Sequence, residues 1–247
     1  MFQESDGSSQ PNVSFDPARD PSSFTFKSKV QELGIPNFPL YEPDVDTMQA
    51  TFAMGWFYHP EALYGGTKGV IRTRVGYAGG TSKRPGYEDL GDHTEAVNIS
   101  YDPKKVSFEK LISLFWENHN PRTPTQQQYK SIIFHHDEEQ RVIAQNSLLL
   151  AQKNTSIEIH TEIHPSVAYF VAENYHQKYI LQQHPWLIVA LQIQTGDEFI
   201  RNHVCAKLNG YLAGYGELEE FDIIAEQLGL SKKMIEYVGM QMIKISK

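Results

Sequence analysis

Hydrophobic and polar positions change their period several times along the chain, and each change marks an element. Ala50 to Met54 is a continuous run of small and apolar residues that ends at Gly55, which predicts a buried strand. Phe57 to about Tyr64 reads as a helix stopped by Gly65-Gly66. From Val70 to Tyr77, the set Ile71, Thr73, Val75 alternates with Val70, Arg72, Arg74; this period of two predicts a second strand, ended by Ala78-Gly79-Gly80. Ala96 to Tyr101 predicts a third strand. Ser107 to His119 predicts a helix with Phe108, Leu111, Ile112 and Phe115 on one face. Ser131 to His135 predicts a fourth strand and Glu138 to Asn154 a further helix. The order strand, helix, strand, strand, helix, strand implies an α+β fold, a ferredoxin-like antiparallel sheet with helices packed on one face. Another strand near Ile157 to Ile163 is expected to extend it.

Residues 1–46 read as a flexible N-terminal arm. As far as about Tyr41 the segment is rich in Ser, Pro, Asp and Asn and has few clustered apolar residues, too few to offset the entropy of ordering it. The more apolar stretch Ile35 to Tyr41 is expected to lie as an extended strap on its own domain. Residues 47–185 form the main domain. Residues 186–247 form a helical C-terminal extension. Helices are predicted at Tyr175–Gln183, Phe199–Tyr211, Asp222–Leu228 and Ser231–Ile245, punctuated by Gly210, Gly214, Gly216 and Gly229. No Gly/Ser linker precedes the extension, so it should be packed on the core rather than tethered.

Composition narrows the function. The chain has 247 residues and a net charge of −8, which argues against nucleic acid or an anionic membrane as partner and favours neutral or cationic ligands. No apolar run approaches the roughly 20 residues of a spanning helix, and no secretory signal is evident, so a cytoplasmic location is expected. Cys205 is the single cysteine, which excludes both an internal disulfide and a thiol pair cycling within one chain. No cofactor is indicated. Sequence leaves the oligomeric state open.

The chemistry lies in separated motifs. They are Gly55-Trp56-Phe57-Tyr58, Val75-Gly76-Tyr77-Ala78-Gly79-Gly80, Asp92-His93-Thr94-Glu95, Phe115-Trp116-Glu117-Asn118-His119, Gln128-Tyr129-Lys130-Ser131 and Tyr175-His176-Gln177-Lys178-Tyr179. Together they resemble the peptide methionine sulfoxide reductase A family over about Ala50 to Gln183. Lys207-Leu208-Asn209-Gly210-Tyr211-Leu212-Ala213-Gly214 is similar to the insect-type branch. In the family pattern a cysteine follows Gly55; here Trp56 stands there. The resemblance implies a pocket in which Phe57 and Tyr58 hold a methyl group, Tyr58 standing where Trp is usual. It also implies that Glu95, Tyr77 and Tyr129 address a sulfoxide oxygen. A buried, protonated Glu95 flanked by phenols is suited to donate to that oxygen.

An indole does not ionise near neutral pH and its nitrogen only donates, so Trp56 cannot replace a thiolate. The family's acidic residue before the Gln-Tyr pair is absent from Arg122 to Gln127, and the tail ending Met242-Ile243-Lys244-Ile245-Ser246-Lys247 holds no resolving cysteine. Cys205, between Val204 and Ala206 in a predicted helix, reads as a buried small residue.

Three readings follow. The first is a repurposed non-thiol enzyme, or a pocket protein for a small-molecule or methyl-sulfoxide-like ligand, with Glu95 as acid or base. The second is an aromatic cage of Trp56, Phe57, Tyr58, Tyr77 and Tyr129 that binds a methylated cation. The third is a peptide-methionine (S)-S-oxide reductase whose cysteine or selenocysteine is replaced or misread as Trp56, the selenocysteine codon UGA being read as Trp by some decoding systems. His59, three positions after Trp56, is placed on nearly the same helix face and joins the candidate ligand-binding residues. His93 and His119 read as structural hydrogen-bonding groups. No metal is assigned, since only residue type favours a set of His59, His93 and Glu95. Asp137, with Gln140 three residues on, reads as a helix cap after the His135-His136 pair.

Overall fold

The computed structural model describes residues 40–166 and 168–245. Six strands, β1 (Met48–Met54), β2 (Val70–Ala78), β3 (Thr94–Tyr101), β4 (Ser131–His135), β5 (Glu162–Pro165) and β6 (Tyr169–Val171), form one sheet in the order β5-β4-β1-β3-β2-β6. The central order β4-β1-β3-β2 is fully antiparallel, as the ferredoxin-like expectation requires. Helices α1 (Tyr58–Gly66), α2 (Phe108–Glu117) and α3 (Glu138–Lys153) contribute to one shared core.

Alternation along the strands decides which face is covered. Ala50 and Phe52 of β1 meet Val97, Ile99 and Tyr101 of β3, then Leu63 and Tyr64 of α1 and Phe108, Leu111 and Phe115 of α2. Phe52 stacks on Tyr64 at 5.4 Å and on Phe108 at 5.9 Å. The opposite face carries a smaller cluster of Ala53, Ala78, Ala96, Ile132 and Phe134. Ser107 caps α2 by accepting from the Lys110 amide, and Asp137 caps α3 by accepting from the Gln140 amide, the role expected for it.

The remaining helices are α4 (Tyr179–Gln182), α5 (Pro185–Ala190), α6 (Gly196–Arg201), α7 (His203–Tyr211), α8 (Leu218–Ile224) and α9 (Lys232–Ile245). Helix α7 crosses α1 with the two backbones in near contact. A Cβ on Gly65 would stand 2.3 Å from the Ala206 carbonyl oxygen, and one on Gly210 would stand 2.1 Å from the Gly66 nitrogen. The C-terminal helices are therefore packed directly on the site-bearing helix.

The chain departs from the sequence reading at its local breaks. Residues 1–39, including Ile35 to Pro39 of the expected strap, lie outside the described residues. Residues 40–46 form no helix or strand, and the Tyr41 amide donates to the Leu228 carbonyl at 3.2 Å. The strand expected near Ile157–Ile163 forms at Glu162–Pro165 and pairs parallel to β4; β6 is an additional edge strand. The helix expected at Tyr175–Gln183 shortens to α4 because Lys178 adopts φ of 51°, which breaks the helical path. The expected Phe199–Tyr211 helix divides into α6 and α7 at Asn202, whose extended backbone lets its side chain cap the Cys205 amide. No helix among the described residues is long and apolar enough to cross a membrane.

Candidate functional site

Strand β1 ends at Gly55, whose φ of +81° turns the chain into α1, a backbone conformation that side-chain-bearing residues rarely adopt. Trp56 follows and is 57 % exposed, its ring tilted at 5.1 Å from that of Tyr58. The indole has turned outward at the mouth of the site rather than filling it. Phe57 is buried, and its amide, at the N-terminus of α1, donates to Glu95 Oε2 at 3.1 Å.

The register of the sheet sets the next two groups. Glu95 on β3 lies directly opposite Tyr77 on β2, so both side chains share one face. Glu95 is fully buried, and its Oε1 accepts from Gln128 Nε2 at 2.7 Å. Burial raises its carboxyl above the usual range, while Gln128 and the Phe57 amide oppose that rise. Tyr129 closes a 3₁₀ turn over Gln127–Tyr129, half-buried; burial and then the charge of Glu95 raise its phenol. Tyr77 donates its hydroxyl to Glu173 Oε2 at 2.7 Å rather than to Glu95, and Glu173 Oε1 also takes the Tyr87 amide at 3.1 Å.

Tyr58 is held by groups that the motif reading left unassigned. Its ring stacks on Tyr179 at 4.0 Å with an interplanar angle of 12°, and its hydroxyl is hydrogen-bonded to His176 Nδ1. The His176 ring packs 5.2 Å from Phe57, 4.5 Å from Tyr87 and 4.2 Å from Tyr175. His176 Nε2 is buried with no hydrogen-bond partner among the described residues and lies 3.9 Å from Glu173 Oε2. Gln128, His176 and Tyr179 belong to motifs already noted in the sequence, where only their contacts were invisible. Glu173 and Tyr87 carried no signal, because each reaches the site from a loop.

The candidate residues divide accordingly. Phe57, Tyr58, Tyr77, Glu95 and Tyr129 converge, with Trp56 at the rim. The five-membered cage does not close in this arrangement, since Tyr179 covers one face of Tyr58 and Trp56 faces solvent. His59 does not join the site: its ring is hydrogen-bonded at Nδ1 to the Tyr215 hydroxyl at 2.7 Å, toward the C-terminal helices. One residue into a helix, three positions from Trp56, is too early for the helical periodicity to apply, because Trp56 precedes the first turn.

His93 accepts from the Gly80 amide at 3.1 Å and bonds the Ser82 carbonyl at 2.9 Å, and His119 bonds the Phe115 carbonyl and Ser131 Oγ. Both therefore serve the loops around the site. Among the described residues no group of three His, Cys, Asp or Glu side chains is placed to hold a metal ion. Cys205 is fully buried in α7, and burial pushes its thiol up to about 12. A cavity of about 320 Å³ adjoins the site, lined by Gly55, Tyr129, Pro124 and His160 among others.

Residues 48–208 match the family described as peptide methionine sulfoxide reductase, and residues 195–243 match the helical domain of selenoprotein methionine sulfoxide reductase A. The chain is 44 % identical over 216 residues to a peptide methionine sulfoxide reductase of Drosophila melanogaster, covering 86 % of this chain and 87 % of that one. It is 39 % identical over 178 residues to peptide methionine sulfoxide reductase A5 of Arabidopsis thaliana, covering 69 % and 70 %. Among solved structures it is similar to Mxr1 from Saccharomyces cerevisiae in reduced form, with a TM-score of 0.53 and 25 % identity over 59 % of this chain and 90 % of that one.

Proposed function

The chain belongs to the peptide methionine sulfoxide reductase family, and from that premise we propose that its Glu95 pocket receives a methyl sulfoxide, without thiolate reduction while Trp56 occupies the nucleophile's place. The ligand is methionine sulfoxide in a peptide or a small-molecule equivalent. One observation carries this reading: a fully buried carboxyl is held on the helix amide of Phe57, the residue immediately after position 56. In its neutral form Glu95 donates to the sulfoxide oxygen, and Tyr129 stands as the second donor. The rings of Phe57 and Tyr58 receive the methyl group. Tyr77, committed to Glu173, positions the wall rather than supplying a proton.

Reduction of a sulfoxide to a thioether takes two electrons and releases the oxygen as water. A nucleophile must attack sulfur while the oxygen is protonated. The pocket keeps groups for protonation, and the indole at Trp56 supplies no nucleophile. With this residue the protein is a pocket protein, or a repurposed non-thiol enzyme in which Glu95 does acid–base chemistry, in a cytoplasmic setting.

A second reading is a working peptide-methionine (S)-S-oxide reductase with cysteine or selenocysteine at position 56. Two observations favour it. Trp56 is more than half exposed and is hydrogen-bonded to nothing among the described residues, so a small nucleophile fits there without repacking. The match of residues 195–243 to a selenoprotein helical domain supports it as well. Mass analysis of the peptide spanning residue 56 in natively produced protein separates the readings. Tryptophan in that peptide, with saturable methyl sulfoxide binding and no turnover by the native chain, is the expected result. Selenocysteine or cysteine there establishes the reductase instead.

A further inference from the structure

The opposite end of α1 from Trp56 holds a buried lysine that forms no ion pair among the described residues. Lys207 of α7 is only 5 % exposed, and its ammonium donates to the Thr67 carbonyl at 2.6 Å. Thr67 is the C-cap of α1, so the cation meets the negative end of that helix. A single carbonyl satisfies one of three N–H donors. Lys178 shows what the same domain does elsewhere with a buried lysine: it is paired with Glu61 at 2.6 Å. Lys207 has no carboxylate within ion-pair distance among the described residues.

Beside it opens a cavity of about 200 Å³, lined also by Lys68, Lys105, His203, Tyr211 and Glu220. Three lysines face one carboxylate there, in a chain whose net charge is −8. Among the described residues Lys105 pairs only with Asp102, at 3.9 Å. His203 adds no charge near neutral pH, since its Nδ1 is engaged with the Ile71 carbonyl at 2.7 Å and burial pushes it down to about 4. Burial likewise pushes the Lys207 ammonium down to about 8, with Glu220 opposing that fall and Lys105 adding to it. A buried ammonium with one carbonyl partner and no ion pair, beside a cavity whose lining mixes lysines with apolar side chains, is an arrangement that an anion in the cavity stabilises.

We propose that this cavity binds a small oxyanion, with Lys207 as the buried ligand, Lys68 and Lys105 as the cationic rim, and the anion bridging the C-terminus of α1 to the C-terminal helices. Helix capping alone accounts for one hydrogen bond of Lys207; it does not account for the second and third lysines around the same space. The site is independent of residue 56 and of the Glu95 pocket.

The test is calorimetric titration of the full chain with inorganic phosphate at constant ionic strength, with thermal unfolding alongside and with acetate and chloride in parallel. The expected result is saturable heat at one site and a midpoint that rises with phosphate. Lys207→Met should weaken binding by about tenfold or more, as loss of a desolvated charge partner does. Because Lys207 also caps α1, that variant risks misfolding, and the rim variants are independent of it. Lys105→Ala should weaken binding severalfold and Glu220→Gln should tighten it severalfold. Binding of acetate in place of phosphate also supports an oxyanion site and narrows its ligand to carboxylates. Absence of saturable heat with both phosphate and acetate overturns the proposal, as does equal binding of chloride or affinity unmoved by both rim variants.

Discussion

Replacing Lys178 by methionine tests how the aromatic wall of the pocket is held. Lys178 and Glu61 are both fully buried, joined at 2.6 Å between Nζ and Oε1. Lys178 Nζ also donates to the Thr73 carbonyl at 2.7 Å, and Glu61 Oε2 takes the Lys178 amide at 2.7 Å. Lys178→Met therefore removes one charge from a desolvated pair and strands Glu61, whose remaining side-chain donor is Thr73 Oγ1 at 3.4 Å. Breaking a buried pair in this way costs about 3–5 kcal/mol. At about 2–4 °C per kcal/mol for a domain of this size, the melting midpoint should fall by about 6–20 °C. Lys178 lies between His176 and Tyr179, both of which fix Tyr58, so ligand binding should weaken as well. The assay is thermal and urea unfolding of the wild type, Lys178→Met, and the double variant Glu61→Gln with Lys178→Met. The glutamine keeps an acceptor for the Lys178 amide and removes the stranded charge, so the double variant should be the more stable of the two. A single-variant loss under about 1 kcal/mol, with no recovery in the double, would refute the reasoning.

Three further predictions concern the site and its supports. Gly210→Ala should destabilise the fold by about 1–3 kcal/mol or more, because its Cβ would lie 2.1 Å from the Gly66 nitrogen in the α1–α7 crossing; chemical denaturation reads this directly. His203 is held down to about 4 in the folded chain from an unfolded value of 6.5, so between those values the unfolded state binds the extra proton. Stability should fall as pH drops from about 6.5 toward 4, by on the order of 3 kcal/mol in full, and His203→Gln should flatten that part of the profile. Glu95→Gln keeps an acceptor for the Phe57 amide but loses the acid, so methyl sulfoxide binding measured by calorimetry should weaken about tenfold or more while the midpoint moves little.

The sheet was legible because its signals are local and periodic: Ala50–Met54, Val70–Tyr77, Ala96–Tyr101 and Ser131–His135 each carry their own pattern, and each forms a strand. The family resemblance implied that Tyr77 and Glu95 share a site, and the β2–β3 register sets them opposite each other. What escaped depends on single residues making distant contacts. Lys178 breaks a helix that periodicity favours because its buried pair with Glu61 outweighs the strain of a positive φ. Asn202 divides another by capping the Cys205 amide. Glu173 and Tyr87 sit in loops without periodicity, so their hold on Tyr77 emerges only from tertiary packing. His59 was projected onto the face of Trp56, which lies before the helix begins, and its ring instead meets the Tyr215 hydroxyl.

The proposed function, a furnished pocket without its nucleophile, is tested most directly by one assay on two proteins. Wild type and Trp56→Cys are compared for reduction of a methyl sulfoxide substrate with dithiothreitol as electron donor, each first shown by calorimetry to bind that substrate. The expected result is binding by both, no turnover by the wild type, and turnover by Trp56→Cys that Glu95→Gln suppresses. Turnover by the tryptophan-bearing chain, or failure of both proteins to bind the sulfoxide, would contradict it.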